Sequence, residues 1–313
     1  MPAVPVHGWR VPAVYSLVCG RCVCDAAGMW KNEKGNGFVL VTVASGARSL
    51  HSLEHGETYH PVVGPMAEAR SLHVAESRLT ERVGECAGRF VIWDVGLGAG
   101  ANAIAAIEAL SESRSAARME LHSFDSTTEP LEFGLRHGDE LEYIPRWRES
   151  VAGLLKTGRA MAGKVDWHFH RCDFRDFVRA QDTAAVPKPD AILYDPYSPG
   201  SNPGMWTLEH FARLRACLDV ARPCTLTSYS RSTAVRVTLL LAGFFVGRGS
   251  ATGEKDQTTV AATHRALLAH PLGTDWLGRV ERSTRGAPLR EGALASRISP
   301  TDLAELRGKL ARE

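Results

Sequence analysis

The chain has 313 residues, of which 44% are hydrophobic and 23% are charged, fractions close to the averages for soluble globular proteins. This length accommodates one large α/β domain with appendages or two domains, and the composition excludes collagen, a coiled coil and a small disulfide scaffold. Lysine and arginine outnumber aspartate and glutamate by only 37 to 35, which argues against a polybasic nucleic-acid binder. Any attraction to a polyanion must therefore come from local clustering of charge.

Residues 1–37 are rich in glycine, proline and cysteine without a sustained period, and they are predicted to form an arm with little regular order. Cys19, Cys22 and Cys24 have a spacing compatible with zinc, but no second ligand pair follows nearby, so free thiols are the favoured interpretation. The odd total of seven cysteines fits a reducing, cytoplasmic location. The longest apolar run, residues 238–246, is too short to span a bilayer, and no membrane association is expected.

Residues 38–87 are predicted to form a β-hairpin followed by a helix. The runs FVLVTV and RSLHSL flank a turn at Ser45-Gly46-Ala47, and the segment from His55 to Pro61 closes the hairpin. After Pro65, apolar residues recur at helical spacing as far as Gly84, where the helix is expected to end.

Residues 88–263 alternate short apolar runs with helical stretches. The predicted strands are FVIWDV, MELHSFD, VDWHFHRCD, AILYD, TLTSYS, FFVGRG and TTVAAT. Such alternation is typical of βαβ units with right-handed crossovers. The sequence therefore predicts a Rossmann-like α/β domain, with a mainly parallel sheet and helices on both faces. Residues 264–313 are predicted to form a tail of helices and loops.

A glycine-rich turn directly follows the first predicted strand of this domain. Asp94 precedes Gly96, Gly98 and Gly100, and the turn opens a helix, so its backbone can approach a ligand closely. Ala101 occupies the position of the third glycine of a dinucleotide motif. An acidic residue before G-x-G-x-G is instead the pattern of S-adenosylmethionine sites, where the ligand is cationic and carries no phosphate.

Two further carboxylates end successive predicted strands. Asp125 is placed to accept hydrogen bonds from ribose hydroxyls, and Asp173 to accept one from an adenine amino group. Each also fits a helix N-cap or a solvated strand end. Because ligands of open α/β sheets bind beyond the carboxyl ends of the strands, we expect these acids to face one crevice.

The most distinctive segment follows the fourth predicted strand of this domain. Asp195 ends that strand and begins Asp-Pro-Tyr-Ser-Pro, which contains Tyr197 and Pro199 and leads to Trp206. Proline cannot extend a strand ladder, so a stiff loop is expected at the mouth of the crevice. The alternative is a plain turn in which Thr207 caps the next helix.

Several of these motifs together resemble the methyltransferase domain of the MnmC family, which methylates the aminomethyl group of a tRNA wobble uridine. The Asp195 loop with Asn202-Pro203-Gly-Met-Trp206-Thr207 resembles the family's D-x-F-x-P and N-P-x-x-W-[ST] elements. Gly56-Glu57-Thr58-Tyr59-His60 resembles its G-E-x-Y-H element, and the segment from Gly96 to Asn102 its G-x-G-x-G-x-N turn. The resemblance extends over about residues 40–263. The family often has Phe and Thr where this chain has Leu97 and Ala99.

The resemblance implies a class I methyltransferase that uses S-adenosylmethionine, with Asp195 near both the methyl donor and the acceptor amine. The residues that it implies for the donor site are Glu57, Tyr59, Asp94, Gly96, Gly98, Gly100, Asn102, Asp125, Asp173 and Asp195. Those that it implies for the substrate are Tyr197, Pro199, Trp206, Arg236 and Lys255. The 50 residues after Thr263 are too few for the flavin domain fused to many relatives, so a stand-alone form without FAD is expected.

The partner implied by the resemblance is the anticodon region of tRNA. Arg222, Arg231, Arg236 and Arg248 lie in a stretch without acidic residues and are predicted to face phosphates, although ordinary solvated positions explain them equally well. His168 and His170 share one strand face without a third ligand, so no metal site is predicted. Alternatives are a related methyltransferase with another amine acceptor or a donor-binding pseudoenzyme. The sequence carries no signal for an oligomeric state.

Overall fold

The computed structural model describes residues 37–180, 186–250, 257–293 and 296–311. The cysteines of the N-terminal arm and Lys255 lie outside the described residues. Within these ranges, no helix is both long and apolar enough to cross a membrane.

The described structure begins with a small antiparallel sheet followed by helices, as predicted for residues 38–87. The three strands are β1 (Phe38–Thr42), β2 (Arg48–Ser52) and β3 (Glu57–Thr58), paired in that order. The predicted single helix is divided into α1 (Pro65–Ala69), a π-helical turn (Arg70–Ala75) and α2 (Leu79–Glu85). The division occurs at Arg78, whose φ of 51° is left-handed and cannot continue a right-handed helix.

Within the described residues, the main sheet has eight strands. They are β4 (Arg89–Val95), β5 (Arg118–Asp125), β6 (Arg159–Ala162), β7 (Val165–Arg171), β8 (Ala191–Tyr194), β9 (Thr225–Ser228), β10 (Phe245–Gly249) and β11 (Thr258–Ala262). Their spatial order is β10-β11-β9-β8-β4-β5-β7-β6, and the pairs among β9, β8, β4, β5 and β7 are parallel. This confirms the mainly parallel sheet. The strand β6 was not predicted because it has only four residues at an antiparallel edge.

Helices cover both faces of the sheet, as expected. Besides α1 and α2 they are α3 (Ala101–Glu112), α4 (Glu129–Arg136), α5 (Arg148–Thr157), α6 (Phe174–Arg179), α7 (Leu208–Cys217), α8 (Thr233–Leu241), α9 (Leu277–Arg282) and α10 (Pro300–Leu310). On β4, Val91, Trp93 and Val95 pack toward α6, α7 and α8, whereas Phe90 and Ile92 pack toward α3 and α5. Both faces of β4 are therefore buried, which explains its nearly continuous hydrophobic run.

The segment after β11 packs onto the main domain. Trp276, Leu277 and Val280 of the α9 region and Leu306 and Leu310 of α10 belong to the same hydrophobic cluster as α7 and α8. These contacts bury one apolar side of each short helix. The last elements therefore pack against α7 and α8, which cover this face of the sheet.

Candidate active site

A large cavity opens at the carboxyl ends of β4 and β8. The strand order changes direction at this pair, because β5 follows β4 on one side while β8 and β9 lie on the other. Such a switch point separates the loops that leave the two strands and creates a crevice between them. The cavity has a volume of about 850 Å³, within the usual range for small-molecule sites.

The glycine turn forms one wall of this cavity and touches the loop that begins at Asp195. Gly96 has a φ of 89°, and a Cβ atom there would lie 2.7 Å from the carbonyl oxygen of Asp195. Only glycine permits both this conformation and this approach. Gly98 has a φ of 52° and faces the ring of Tyr59. Gly100 is left-handed at the start of α3 and packs against Leu131 instead of lining the cavity, so it supports the turn.

Asp94 and Asn102 carry buried oxygen atoms for which no hydrogen-bond partner is present within the described structure. Asp94 Oδ2 accepts a hydrogen bond from Ser123 Oγ at 2.8 Å, whereas Asp94 Oδ1 and Asn102 Oδ1 are unpaired. Burial raises the pKa of Asp94 to about 7. Asn102 lines the cavity, and Asp94 lies in the strand immediately before the glycine turn.

The acids at the ends of β5 and β7 both line the cavity but differ in their partners. Asp125 accepts hydrogen bonds from the N–H groups of Gly98 and Thr127, at 3.1 and 3.2 Å, which oppose the rise in its pKa caused by burial. Asp173 accepts bonds from the backbone N–H and guanidinium of Arg175, and these lower its pKa. Asp173 is thus the N-cap of α6, one of its predicted alternatives, while its adenine contact stays a prediction.

Asp195 lies at the centre of the cavity among groups from three different segments. Asn102 Nδ2 donates a hydrogen bond to Asp195 Oδ2 at 2.6 Å. His60 Nε2 lies 4.0 Å from the same oxygen, and His60 Nδ1 lies 3.8 Å from Glu68 Oε2. Burial raises the pKa of Asp195 to about 6; His60 opposes this rise and Glu68 adds to it. A carboxyl group with this pKa is ionised near neutral pH and remains able to take up a proton.

The N-terminal hairpin holds the loop after Asp195 through side-chain contacts. Glu57 accepts hydrogen bonds from Ser198 N–H and from the hydroxyls of Ser198 and Ser201. Burial raises the pKa of Glu57, but these bonds outweigh burial and lower it. The hydroxyls of Tyr59 and Tyr197 are 2.6 Å apart, and His55 stacks on Tyr197 with ring centroids 3.9 Å apart. The hairpin and the loop together close one side of the cavity.

Two predicted substrate residues are placed elsewhere. Trp206 is fully buried, and its indole N–H donates to the carbonyl oxygen of Tyr197 at 2.9 Å, so it supports the loop from beneath. Arg236 is also buried, and its guanidinium binds Thr259 Oγ1 and the Thr258 carbonyl in the sheet. Neither side chain lines the cavity, and direct substrate contact stays a prediction for both.

The remaining predictions have mixed outcomes. Tyr197 lines the cavity, whereas Pro199 lies in the same loop outside the lining. Thr207 is the N-cap of α7, as the alternative reading of this segment expected. Of the four predicted phosphate-facing arginines, Arg222 is paired with Asp190 at 2.6 Å and Arg236 is buried, which leaves the exposed Arg231 and Arg248.

The two strand histidines stack with a third, His122, beside Glu120 and Asp166. Within the described ranges, no group of His, Cys, Asp and Glu side chains is arranged to hold a metal ion.

Other residues at the site were not predicted from the sequence. Glu68 lines the cavity from α1, Arg175 from α6 and Tyr229 from the end of β9. Tyr229 OH donates to the Pro196 carbonyl at 3.0 Å. An acid in the first turn of a helix has an ordinary explanation, so nothing near Glu68 in the sequence indicated its contact with His60.

Comparison with known proteins identifies the class of this site. A family profile for S-adenosyl-L-methionine-dependent methyltransferases matches residues 139–264. The tRNA 5-methylaminomethyl-2-thiouridine biosynthesis bifunctional protein MnmC of Azoarcus sp. is 29% identical over 268 residues, which cover 82% of this chain and 38% of that protein. The protein of the same name from Methylibium petroleiphilum is 29% identical over 227 residues, covering 70% of this chain and 34% of the relative.

A solved structure, that of MNMC2 from Aquifex aeolicus, superimposes with a TM-score of 0.64 at 25% identity and covers 89% of this chain and 85% of the other. The chain is therefore similar to MnmC proteins over most of its length, and part of it matches S-adenosylmethionine-dependent methyltransferases. It spans 34% to 40% of the length of the curated MnmC proteins that it matches.

The residues of the MnmC-like cavity fit S-adenosylmethionine. The close approach at Gly96 and the positive φ at Gly98 keep the turn free of side chains where a ligand meets the backbone. The unpaired oxygen of Asn102 and the carboxylates of Asp125 and Asp195 suit a cationic ligand that carries amino and hydroxyl donors. Asp125 lines the cavity, and its contact with the ribose hydroxyls of such a ligand stays a prediction.

Proposed function

We propose that this methyltransferase converts 5-aminomethyl-(2-thio)uridine at the wobble position of tRNA to 5-methylaminomethyl-(2-thio)uridine. The observation that carries the proposal is the Asp195 carboxylate. It is largely buried, and it lines the cavity together with the glycine turn and Tyr197. The names of the relatives supply the acceptor, because they describe biosynthesis of the methylated nucleoside in tRNA. We place this reaction in the cytoplasm.

Asp195 would orient the acceptor amine and take its proton. Bound S-adenosylmethionine supplies an electrophilic methyl group, which an amine can attack only through a free lone pair. Holding the amine in line and about 3 Å from that methyl group contributes much of the catalysis in such transfers. An ionised Asp195 can accept one N–H bond, which aims the lone pair, and can then receive the proton that the methylated amine releases.

His60 would stabilise Asp195 in its ionised form, whereas Glu68 acts against it. The imidazole lies between the two carboxylates, 4.0 Å from Asp195 and 3.8 Å from Glu68, and all three side chains are largely buried. His60 itself has a left-handed φ of 47°, an unfavourable conformation for a residue with a side chain. The packing around the hairpin holds it there, so its ring remains beside Asp195.

Tyr197 and Tyr59 would shape the acceptor side. Their hydroxyls are hydrogen-bonded to each other, and His55 stacks on Tyr197. The three rings together form an aromatic edge of the cavity. A flipped base has two apolar faces that stack on such rings. Since stacking is tolerant of base identity, the selection of an aminomethyl group falls to Asp195.

Nucleoside analysis of cells that lack this gene tests the proposal. Mass spectrometry of digested tRNA should show loss of 5-methylaminomethyl-2-thiouridine and accumulation of its unmethylated amine. Restoring the wild-type gene should return the methylated nucleoside, whereas restoring an Asp195→Asn gene should not. An unchanged nucleoside profile in the deletion strain would contradict the proposal.

A further inference from the structure

A second cavity lies next to the catalytic one at the carboxyl edge of the sheet. Its volume is about 440 Å³, and its lining consists of Arg231, Ser232, Thr233, Gln257 and Arg279. Among the described residues, the lining contains two arginines and three polar side chains and no carboxylate. Its charge and its hydrogen-bond donors therefore suit an anion.

The arginines at this cavity have no acidic partners among the described residues. Arg231 and Arg279, which line the cavity, and the nearby Arg248 are exposed, and none of them forms an ion pair with a described residue. The buried Arg236 lies beneath them, with its guanidinium bound to Thr259 Oγ1 and the Thr258 carbonyl. Burial, followed by repulsion from Arg279 and Arg248, lowers the pKa of Arg236 to about 10. Like charges are therefore crowded here, and an anion would relieve their repulsion.

The first turn of α8 adds uncharged donors to the same cavity. Ser232 is the N-cap of this nine-residue helix, but its hydroxyl makes no capping bond and remains available. Thr233 follows at the first helical position and also lines the cavity. The N-terminal end of a helix carries partial positive charge, which adds to the charge of the two arginines.

The position of this cavity relates it to the catalytic one. Tyr229 lines the catalytic cavity, and Arg231, two residues farther along the chain, lines the second one. Two residues span at most about 7 Å, so the two sites are neighbours on one surface. A polymer with a nucleotide in the catalytic cavity would pass directly over the arginines.

We propose that this cavity, formed by Arg231, Ser232, Thr233, Gln257 and Arg279, binds a backbone phosphate of the RNA whose base enters the catalytic cavity. The inference rests on the proposed function, since it assumes an RNA substrate. A phosphate diester matches the cavity because guanidinium groups, hydroxyls and helix N–H groups all donate to its oxygens. Such a contact positions the RNA without reading its sequence.

The test compares RNA binding by an Arg231→Gln/Arg279→Gln double variant with binding by an Arg114→Glu control. Both change the net charge by the same amount, and Arg114 is exposed just after α3, which ends at the opposite edge of the sheet. Affinity for a tRNA transcript is measured over a range of salt concentrations, and donor affinity by calorimetry. Inorganic phosphate is titrated in parallel at constant ionic strength.

We expect the double variant to bind the transcript about tenfold more weakly than the control, with unchanged donor affinity. The slope of log affinity against log salt should fall in magnitude by about 0.7 to 0.9, as expected for one lost phosphate contact. RNA affinity and slope equal to those of the control would overturn the inference, even if the wild type binds free phosphate.

The two proposals fail in different ways. If the wild type methylates hypomodified tRNA while the double variant binds it as well as the control does, only the phosphate site is wrong. If the wild type neither binds nor methylates tRNA, the proposed function is wrong and the phosphate site loses its basis.

Discussion

At the scale of single residues, the site depends on the environment of one carboxylate. Asp195 is buried enough for its pKa to rise to about 6, yet Asn102 and His60 favour its ionised form. Glu68, which lies on the other side of His60, raises the pKa of Asp195 and so acts in the opposite direction. These opposing effects give a group that is mostly charged at neutral pH and still able to accept a proton.

Replacement of Asp195 by asparagine tests its role with little change in shape. The amide oxygen can still accept the hydrogen bond from Asn102, so thermal unfolding should stay close to that of the wild type. The side chain can no longer take a proton, and we expect kcat to fall by about 10² to 10⁴. Single-turnover methylation measures this loss, and a rate within a few-fold of the wild type would rule out the role.

The pH profile tests the partnership of Asp195 with His60. In the wild type, kcat/KM should fall as pH drops below about 6, because Asp195 becomes protonated; protonation of the acceptor amine acts in the same direction. His60 lowers the pKa of Asp195, so His60→Gln should move the acidic limb of the kcat/KM profile to higher pH.

The matched control for that experiment is His137→Gln. His137 lies on α4's end, is partly exposed and does not line the cavity. Its profile should superimpose on that of the wild type. A His60→Gln profile that is lower at every pH without moving along the pH axis would indicate a merely structural histidine.

At the scale of elements, two loops and one hairpin form the site. The glycine turn after β4 touches the loop after β8, and the hairpin holds that loop through Glu57 and Tyr59. The parallel strands fix where the loops begin, and the contacts between loops fix where they go. Backbone approach at Gly96 is therefore as important to the site as any side chain.

Gly96→Ala tests this approach. A Cβ atom at Gly96 would lie 2.7 Å from the Asp195 carbonyl oxygen at a φ of 89°, so the loops must separate. We expect a loss of more than about 1 kcal/mol in the free energy of unfolding and at least tenfold weaker donor binding.

Gly84→Ala is the matched control for the glycine turn. Gly84 lies within α2, and a Cβ atom there would meet nothing within 4 Å. This substitution should be neutral or should stabilise the protein by up to about 1 kcal/mol. Denaturant unfolding and calorimetry distinguish the two variants, and equal effects from both would contradict the importance of the approach.

The elements also show what the sequence can and cannot predict. The strands of the parallel region were predicted because burial on both faces makes them continuous apolar runs, as in β4. The burial of Arg236 was missed although its helix is apolar on both sides of it, TAVRVTLLL. The proximity of His60 to Asp195 was not predictable, because nothing local to either residue encodes a contact between a hairpin and a distant strand end.

At the scale of the whole molecule, the buried acids make stability depend on pH. Burial raises the pKa of Asp94 to about 7 in the folded chain, compared with about 4 when unfolded. Between these values the folded state binds more protons than the unfolded state. The free energy of unfolding therefore falls as pH rises from about 4 to about 7, and the lost stability is restored at acid pH.

Asp94→Asn should remove this contribution. The variant should be more stable than the wild type at pH 8, with a difference that shrinks toward pH 5. Urea unfolding of the ligand-free protein at both pH values measures it. A constant difference at the two pH values would contradict a raised pKa for Asp94.

The central claim is that this MnmC-like chain methylates the aminomethyl wobble uridine of tRNA. Its most direct test incubates the purified chain with S-adenosylmethionine and tRNA that carries the unmethylated amine, followed by mass spectrometry of the nucleosides. We predict one added methyl group on that nucleoside with the wild type and none with Asp195→Asn. If the nucleoside remains unmethylated although the protein binds S-adenosylmethionine, the claim is wrong.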